Sequence, residues 1–232
     1  MELDFSPIWI SLQTALVTIV IVFFLGIILA WEVLRCKNEV TRIVLDGIIT
    51  MPLVLPPTVA GFFLLVIFGN NGPIGKFFLE AFGVQIAFSW LATVVAATVI
   101  ALPLMYRSAR GAFEQVDVGL IDAGRSLALS ELTIFFRILV PCALPGLISG
   151  GVLAFARALG EFGATAMLAG NIAGKTRTLS LAVYSEVAGG DMDAAGFYVS
   201  VILVVCFIII VGLNWYLYAC KKRQTGNNLY RY

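Results

Sequence analysis

Residues 107–137 read RSARGAFEQVDVGLIDAGRSLALSELTIFFR and are followed at 138–141 by ILVP. This charged stretch interrupts an otherwise very apolar chain, which has just left one long hydrophobic segment and is about to enter another. A simple membrane anchor would need only a short polar turn at such a point. A partly helical, charged loop of this length therefore indicates that another protein binds the chain on this side of a membrane.

The composition excludes several classes of protein. Of the 232 residues, 60% are hydrophobic and 12% are charged, whereas soluble domains are about half apolar and about a quarter charged. The net charge of +1 gives no basis for a nucleic-acid partner. Histidine is absent, which removes the commonest metal ligand and general base. Since no nucleophile is paired with a base either, we predict a polytopic membrane protein without catalytic, cofactor-binding or metal-binding residues.

The apolar runs predict an all-α protein with a single transmembrane domain over residues 1–232. Because about 20 apolar residues cross the hydrocarbon as a helix, the sequence predicts about five spans, at 8–34, 43–68, 86–106, 138–159 and 197–218. Lys and Arg cluster in the loop at 35–42, in the loop at 107–137 and in the tail. Cytoplasmic loops carry this excess of basic residues. We therefore expect a multi-pass cell-membrane protein with its N-terminus outside and its C-terminus in the cytoplasm.

The second predicted span contains three prolines. Residues 51–65 read MPLVLPPTVAGFFLL, with Pro52, Pro56 and Pro57 close together. Each interior proline removes a backbone donor and clashes with the preceding turn, which a membrane tolerates where the freed carbonyls face protein or a water-filled cavity. The pattern predicts a kinked helix that lines a translocation path. The alternative is a bend that only fits neighbouring helices together.

The fourth predicted span ends with two ionisable residues that could pair. Arg157 and Glu161 lie four residues apart in LAFARALGEFGAT, so they share a helix face. Ionisable residues at membrane depth are costly and usually face a bundle interior or an aqueous path, and a guanidinium suits an anionic substrate. The two residues are therefore candidates for the translocation path. A self-neutralising structural pair is the alternative.

The loop at 107–137 resembles the cytoplasmic loop of ABC-importer permeases, written E-A-A, three residues, G, nine residues, I-x-L-P. With Pro141 on the final proline, Asp122, Ala123 and Gly124 fall on E-A-A and Ala128 falls on the glycine. The flanking blocks extend the resemblance. MPLVLPPTVAGFFLLVIFGNNGPIG, ALPLMYRSARGAFEQVD and LPGLISGGVLAFARALGEFGATAMLAGNIAGKTRTLSLAVY are each similar to a block of the molybdate-transporter permeases.

The resemblance implies a type I ABC-importer permease fold with a cytoplasmic coupling helix at about 118–127. It also implies a homodimer of permeases in membrane lipid, a separate cytoplasmic ATPase that holds ATP and Mg, and an extracytoplasmic oxyanion-binding protein. In this family Asp122 and Arg125 would make polar contacts to the ATPase, while Leu120 and Ile121 would pack into its cleft. The residues implied in docking are Val118, Leu120, Ile121, Asp122, Ala123, Gly124, Arg125, Ala128 and Pro141.

The implied function is ATP-driven import of molybdate or tungstate by alternating access. Sulfate permeases are similar across ARALGEFGA, so a sulfate importer is an alternative. An autonomous secondary anion carrier is another, because a proline-broken helix and the Arg157/Glu161 pair would suit it as well. A carrier, however, has no need of a docking loop.

Overall fold

The computed structural model describes residues 4–228, and within that range the regular secondary structure is entirely helical. The N-terminal half contains five helices: α1 Ser6–Arg35, α2 Glu39–Val54, α3 Pro57–Phe68, α4 Pro73–Phe82 and α5 Trp90–Glu114. Six more follow: α6 Val118–Ser126, α7 Glu131–Ile134, α8 Val140–Leu159, α9 Gly163–Leu168, α10 Leu179–Gly189 and α11 Met192–Asn228. A π-helical turn, Phe135–Leu139, joins α7 to α8.

Four helical segments of the described chain are long and apolar enough to cross a membrane. They are α1, α5, the continuous stretch Glu131–Leu159 and the part of α11 at Met192–Gly212. The pair α2 and α3 makes a fifth if it counts as one broken span. The predicted all-α membrane architecture with about five spans is confirmed.

The second span differs from its prediction. It is not one kinked helix, because α2 and α3 meet at 112°. Pro52 is accommodated inside α2, whereas Leu55 has extended backbone and Pro57 opens the first turn of α3. A residue before proline is pushed out of the helical region. Two successive prolines therefore end one helix and start another.

The charged loop is also shorter than predicted. Helix α5 continues to Glu114, the short helix α6 follows, and the helical stretch that leads into α8 begins at Glu131. The charged residues at 107–114 continue α5 and do not end it. Arg110 donates hydrogen bonds to Asp46 and to Glu114, so its charge is paired within the protein. The basic tail at Lys221, Lys222 and Arg223 lies where side chains are not described, and Arg231 lies outside the described residues.

The centre of the molecule is formed by α1, α5 and α8, which approach closely through small residues. A Cβ on Gly26 would lie 2.7 Å from Met105 Cγ, and one on Gly146 would lie 2.7 Å from the Cβ of Ala112. Small residues allow this close contact between helices in a membrane, where apolar burial alone does not drive association. Larger side chains at these glycines would push α1, α5 and α8 apart.

Candidate functional site

A helix, α6 Val118–Ser126, lies where the sequence predicted the docking helix. Asp117 caps its start by accepting the Gly119 N–H at 2.8 Å, as a short acidic side chain does at helix N-termini. The helix ends one residue before the predicted limit at 127. The sequence therefore located this element within the usual uncertainty of helix ends.

One side of α6 is seated on the chain itself. Gly124 is buried, and a Cβ there would lie 3.0 Å from Ile138 Cδ1 and 3.2 Å from Ile134 Cγ1. Ile121 is half-buried and packs against the central core. These two residues hold the helix in place, so Ile121 faces inward in this structure and not towards a partner.

The other side of α6 is open. Val118 is 64% exposed and Leu120 is 48% exposed, and Asp122 and Ala123 are exposed beside them. Just beyond the helix, Leu127 is 75% exposed. This outer surface combines aliphatic side chains with a carboxylate. Of the residues predicted to dock, these are the ones accessible to another protein.

Arg125 is held by hydrogen bonds to two carboxylates of the loop. Its Nε donates to Glu131 Oε1 at 2.9 Å and its Nη1 to Asp122 Oδ1 at 3.3 Å. The bond to Glu131 raises the pKa of Arg125 above its ordinary value, so the side chain stays cationic. A partner that recruits Arg125 would have to compete with these carboxylates.

Ala128 occupies a conformation that favours glycine. Its φ is +54°, and the N–H groups of Ala128 and Leu129 donate to the carbonyls of Arg125 and Gly124 at 2.9 and 3.2 Å. These two bonds form a Schellman motif with Ala128 at its left-handed position. The family glycine at this position therefore has a conformational reason, and the alanine methyl strains the turn.

Replacing Ala128 with glycine should stabilise the turn after α6, because the left-handed conformation costs an L-residue about 1–2 kcal/mol. After the greater chain entropy of glycine is subtracted, we expect a gain of up to about 1 kcal/mol. Ala123→Gly is the matched control. It lies inside the same helix and should cost about 1 kcal/mol. Amide hydrogen exchange of α6 would report both, and equal effects of the two changes would contradict the strain.

Pro141 is exposed and lies at the start of α8. It follows the π-helical turn, where the Val140 N–H donates to Phe135 O. Since a proline cannot donate and its ring crowds the carbonyl four residues earlier, a widened turn just before Pro141 relieves that contact. The proline thus shapes the link between α6 and α8.

Arg157 and Glu161 form the predicted pair. Arg157 Nη1 lies 2.8 Å from Glu161 Oε2, and the two side chains are 31% and 2% exposed. This is an ion contact, since Oε2 accepts no well-directed hydrogen bond from the described residues. Glu161 Oε1 accepts the Ala164 N–H at 2.8 Å. The carboxylate therefore joins the end of α8 to the start of α9.

The proline break and this pair converge at one junction. A Cβ on Gly163 would lie 2.9 Å from Pro57 Cβ, and one on Gly61 would lie 2.7 Å from the Ala164 Cα. The start of α3 thus rests on the backbone that directly follows Glu161. Pro56 is exposed at the break, and Pro52 remains in α2 on the other side of it.

A second charged cluster, which the sequence pattern did not predict, joins α2 to α5. Asp46 Oδ1 accepts hydrogen bonds from Arg110 Nη1 at 2.6 Å and from Tyr106 Oη at 2.8 Å. Arg110 Nε also donates to Glu114 at 2.9 Å. A signal was available, since Asp46 is the one charged residue between positions 43 and 68.

Comparison with known proteins identifies the family. Residues 9–224 match the family described as "Binding-protein-dependent transport system inner membrane component". The chain is 43% identical over 194 residues to the molybdenum transport system permease protein ModB of Escherichia coli K12, covering 83% of this chain and 84% of that protein. It is 37% identical over 224 residues to ModB of Haemophilus influenzae, covering 97% of each.

Solved structures support the fold. An inward-facing form of the MetNI methionine ABC transporter matches with a TM-score of 0.72 at 19% identity, over 94% of this chain and 95% of that chain. A bacterial ABC transporter that imports the acidic polysaccharide alginate matches with a TM-score of 0.76 at 14% identity, over 94% and 80%. The fold is that of an ABC-importer permease. The chain therefore belongs to the family of inner-membrane components of binding-protein-dependent transport systems.

Proposed function

We propose that this chain is the membrane-spanning permease subunit of an ATP-driven ABC importer that carries molybdate or tungstate into the cytoplasm by alternating access. The observation that carries this proposal is its 37–43% identity, over most of its length, to proteins named as molybdenum transport permeases. The chain itself is a transport subunit and not an enzyme. ATP and Mg would bind to the separate ATPase.

The α6 end of the molecule would lie in the cytoplasm, with the N-terminus outside. This orientation puts the loops rich in Arg and Lys on the inner side. The open side of α6, with Val118, Leu120 and Asp122, would dock into a cleft of the ATPase. Closure of the ATPase dimer would then move α6 as a rigid body, a common way for one subunit to drive another.

Two copies of the chain would form the translocation path, and a binding protein would deliver the oxyanion outside. The proposed lining is Pro52, Pro56, Pro57, Arg157 and Glu161. Arg157 retains 31% exposure despite its ion contact, so part of its guanidinium could meet an anion. Pro56 and Pro57 have no N–H to donate to the carbonyls of the preceding turn, and a membrane tolerates such a break where it faces protein or a water-filled cavity.

Reconstitution would test the proposal. The chain, an ATPase subunit and a molybdate-binding protein would be placed in proteoliposomes, and uptake of radioactive molybdate would be followed. We expect uptake only with ATP and all three components, and competition by tungstate but not by sulfate. Effective competition by sulfate would favour a sulfate permease. Uptake driven by a proton or sodium gradient without the ATPase would favour a secondary carrier and refute an ABC importer.

A further inference from the structure

The cluster of Asp46, Tyr106, Arg110 and Glu114 is the strongest chemical feature outside the proposed docking and path residues. Asp46 and Arg110 keep 26% and 24% of their side-chain surface exposed, and Tyr106 is fully buried. Charged groups in a membrane domain are costly and are usually retained for a purpose.

The cluster is the main polar attachment of α2. Within the described chain, no residue of α2 is fully buried. Its apolar side chains point outwards, with Val40 at 69%, Ile43 at 63% and Ile48 at 58% exposure. Helix α2 is thus held to this subunit less by a packed core than by the carboxylate of Asp46, which accepts two hydrogen bonds from α5.

The two ends of this attachment lie on elements with different proposed roles. Arg110 is in the last turns of α5, which leads through Asp117 directly into α6. Asp46 is in α2, which leads to the break at Pro56. Beyond the break, α3 rests on the segment after Glu161. A displacement of α6 that shifts the end of α5 would therefore move α2 through the Asp46 carboxylate, which Arg110 and Tyr106 both bind.

We propose that the Asp46–Arg110 ion pair is a positioning element that transmits movement from the docking helix to the broken second span. This inference rests on the proposed function. Tyr106 contributes by holding the same carboxylate oxygen from the core side of α5. Glu114 orients Arg110 along its own helix and does not itself join α2 to α5.

The ratio of oxyanion imported to ATP hydrolysed tests this role, because a merely structural defect lowers both together. Asp46→Ala should leave ATP hydrolysis by the assembled complex within about twofold of wild type while uptake per ATP falls about tenfold or more. Asp46→Asn keeps the shape and one acceptor but not the charge, and should have an intermediate ratio. Glu114→Gln is the matched control, since it removes a carboxylate from Arg110 but leaves the attachment of α2, and its ratio should be unchanged.

Several results would overturn the inference. An unchanged ratio in Asp46→Ala would do so, as would an equal fall of the ratio in Glu114→Gln. Failure of Asp46→Asn to assemble with the ATPase would make the pair structural. These outcomes are distinct from failure of the proposed function, in which the wild-type complex itself would show no ATP-dependent uptake of molybdate.

Discussion

Replacing Glu161 with alanine should abolish transport and destabilise the permease. The side chain is 2% exposed, and one carboxylate serves both the Arg157 ion contact and the Ala164 N–H. Removing one partner of a buried ion pair costs about 3–5 kcal/mol because the other charge is left uncompensated. The exposure of Arg157 places the effect towards the lower end of that range. The yield of assembled transporter and its melting temperature would measure the loss.

Arg157→Gln separates the two interpretations of the pair. This change leaves the buried Glu161 carboxylate without its counter-charge, although Glu161 still accepts the Ala164 N–H and the glutamine amide can still donate to it. Uptake is therefore compared per assembled transporter, so that lost assembly is not counted as lost transport. If Arg157 meets the oxyanion, uptake should still fall by about tenfold or more, since a desolvated charge-assisted contact contributes more than about 1.4 kcal/mol. Arg157→Lys is the matched control: it keeps the charge but loses the planar fork and should transport at an intermediate rate. Normal uptake per assembled Arg157→Gln transporter would rule out an anion contact by Arg157, and loss of assembly would favour a structural pair.

The sequence predicted the spans well because a span is recognised by its run of apolar residues. Four apolar runs became long helices, and the fifth became the pair α2 and α3. The ends were less predictable. Arg110 and Glu114 looked like the start of a polar loop, yet they continue α5, because Asp46 on a distant helix satisfies Arg110. A contact of that kind cannot be read from local sequence.

The candidate site was predicted as a set of positions but not as a geometry. The E-A-A spacing located α6, whereas its sequence has only weak amphipathicity and did not say that Ile121 would face the core. The spacing of Arg157 and Glu161 predicted their pairing. The approach of α3 to the segment after Glu161 depends on close tertiary contacts at Gly61 and Gly163, which the local sequence does not predict.

Gly124→Leu should displace α6, the proposed docking helix, from its contacts with Ile134 and Ile138. A Cβ at this position already lies 3.0 Å from Ile138 Cδ1 and 3.2 Å from Ile134 Cγ1, so a leucine has no space unless α6 moves outwards. Overpacking of this kind costs about 1–3 kcal/mol. Because α6 is short and its other side is open, the helix should yield before the spans do. The displaced surface would then no longer match the ATPase cleft.

We therefore expect Gly124→Leu to weaken association with the ATPase by about tenfold or more, and to reduce molybdate uptake accordingly, while the permease still inserts into the membrane. Pull-down of the ATPase subunit by the purified permease would measure the association. Gly196→Leu is the control, because a Cβ at Gly196 meets no atom of a neighbouring element of the described chain within 4 Å. Gly124→Ala should have a small effect, since only the ends of two flexible isoleucines must shift.

Full ATPase association in Gly124→Leu would mean either that α6 tolerates the displacement or that the ATPase binds elsewhere, and hydrogen exchange in α6 would tell these apart. If exchange rises while association stays intact, docking at α6 is wrong; if exchange is unchanged, the seat formed by Ile134 and Ile138 is wrong.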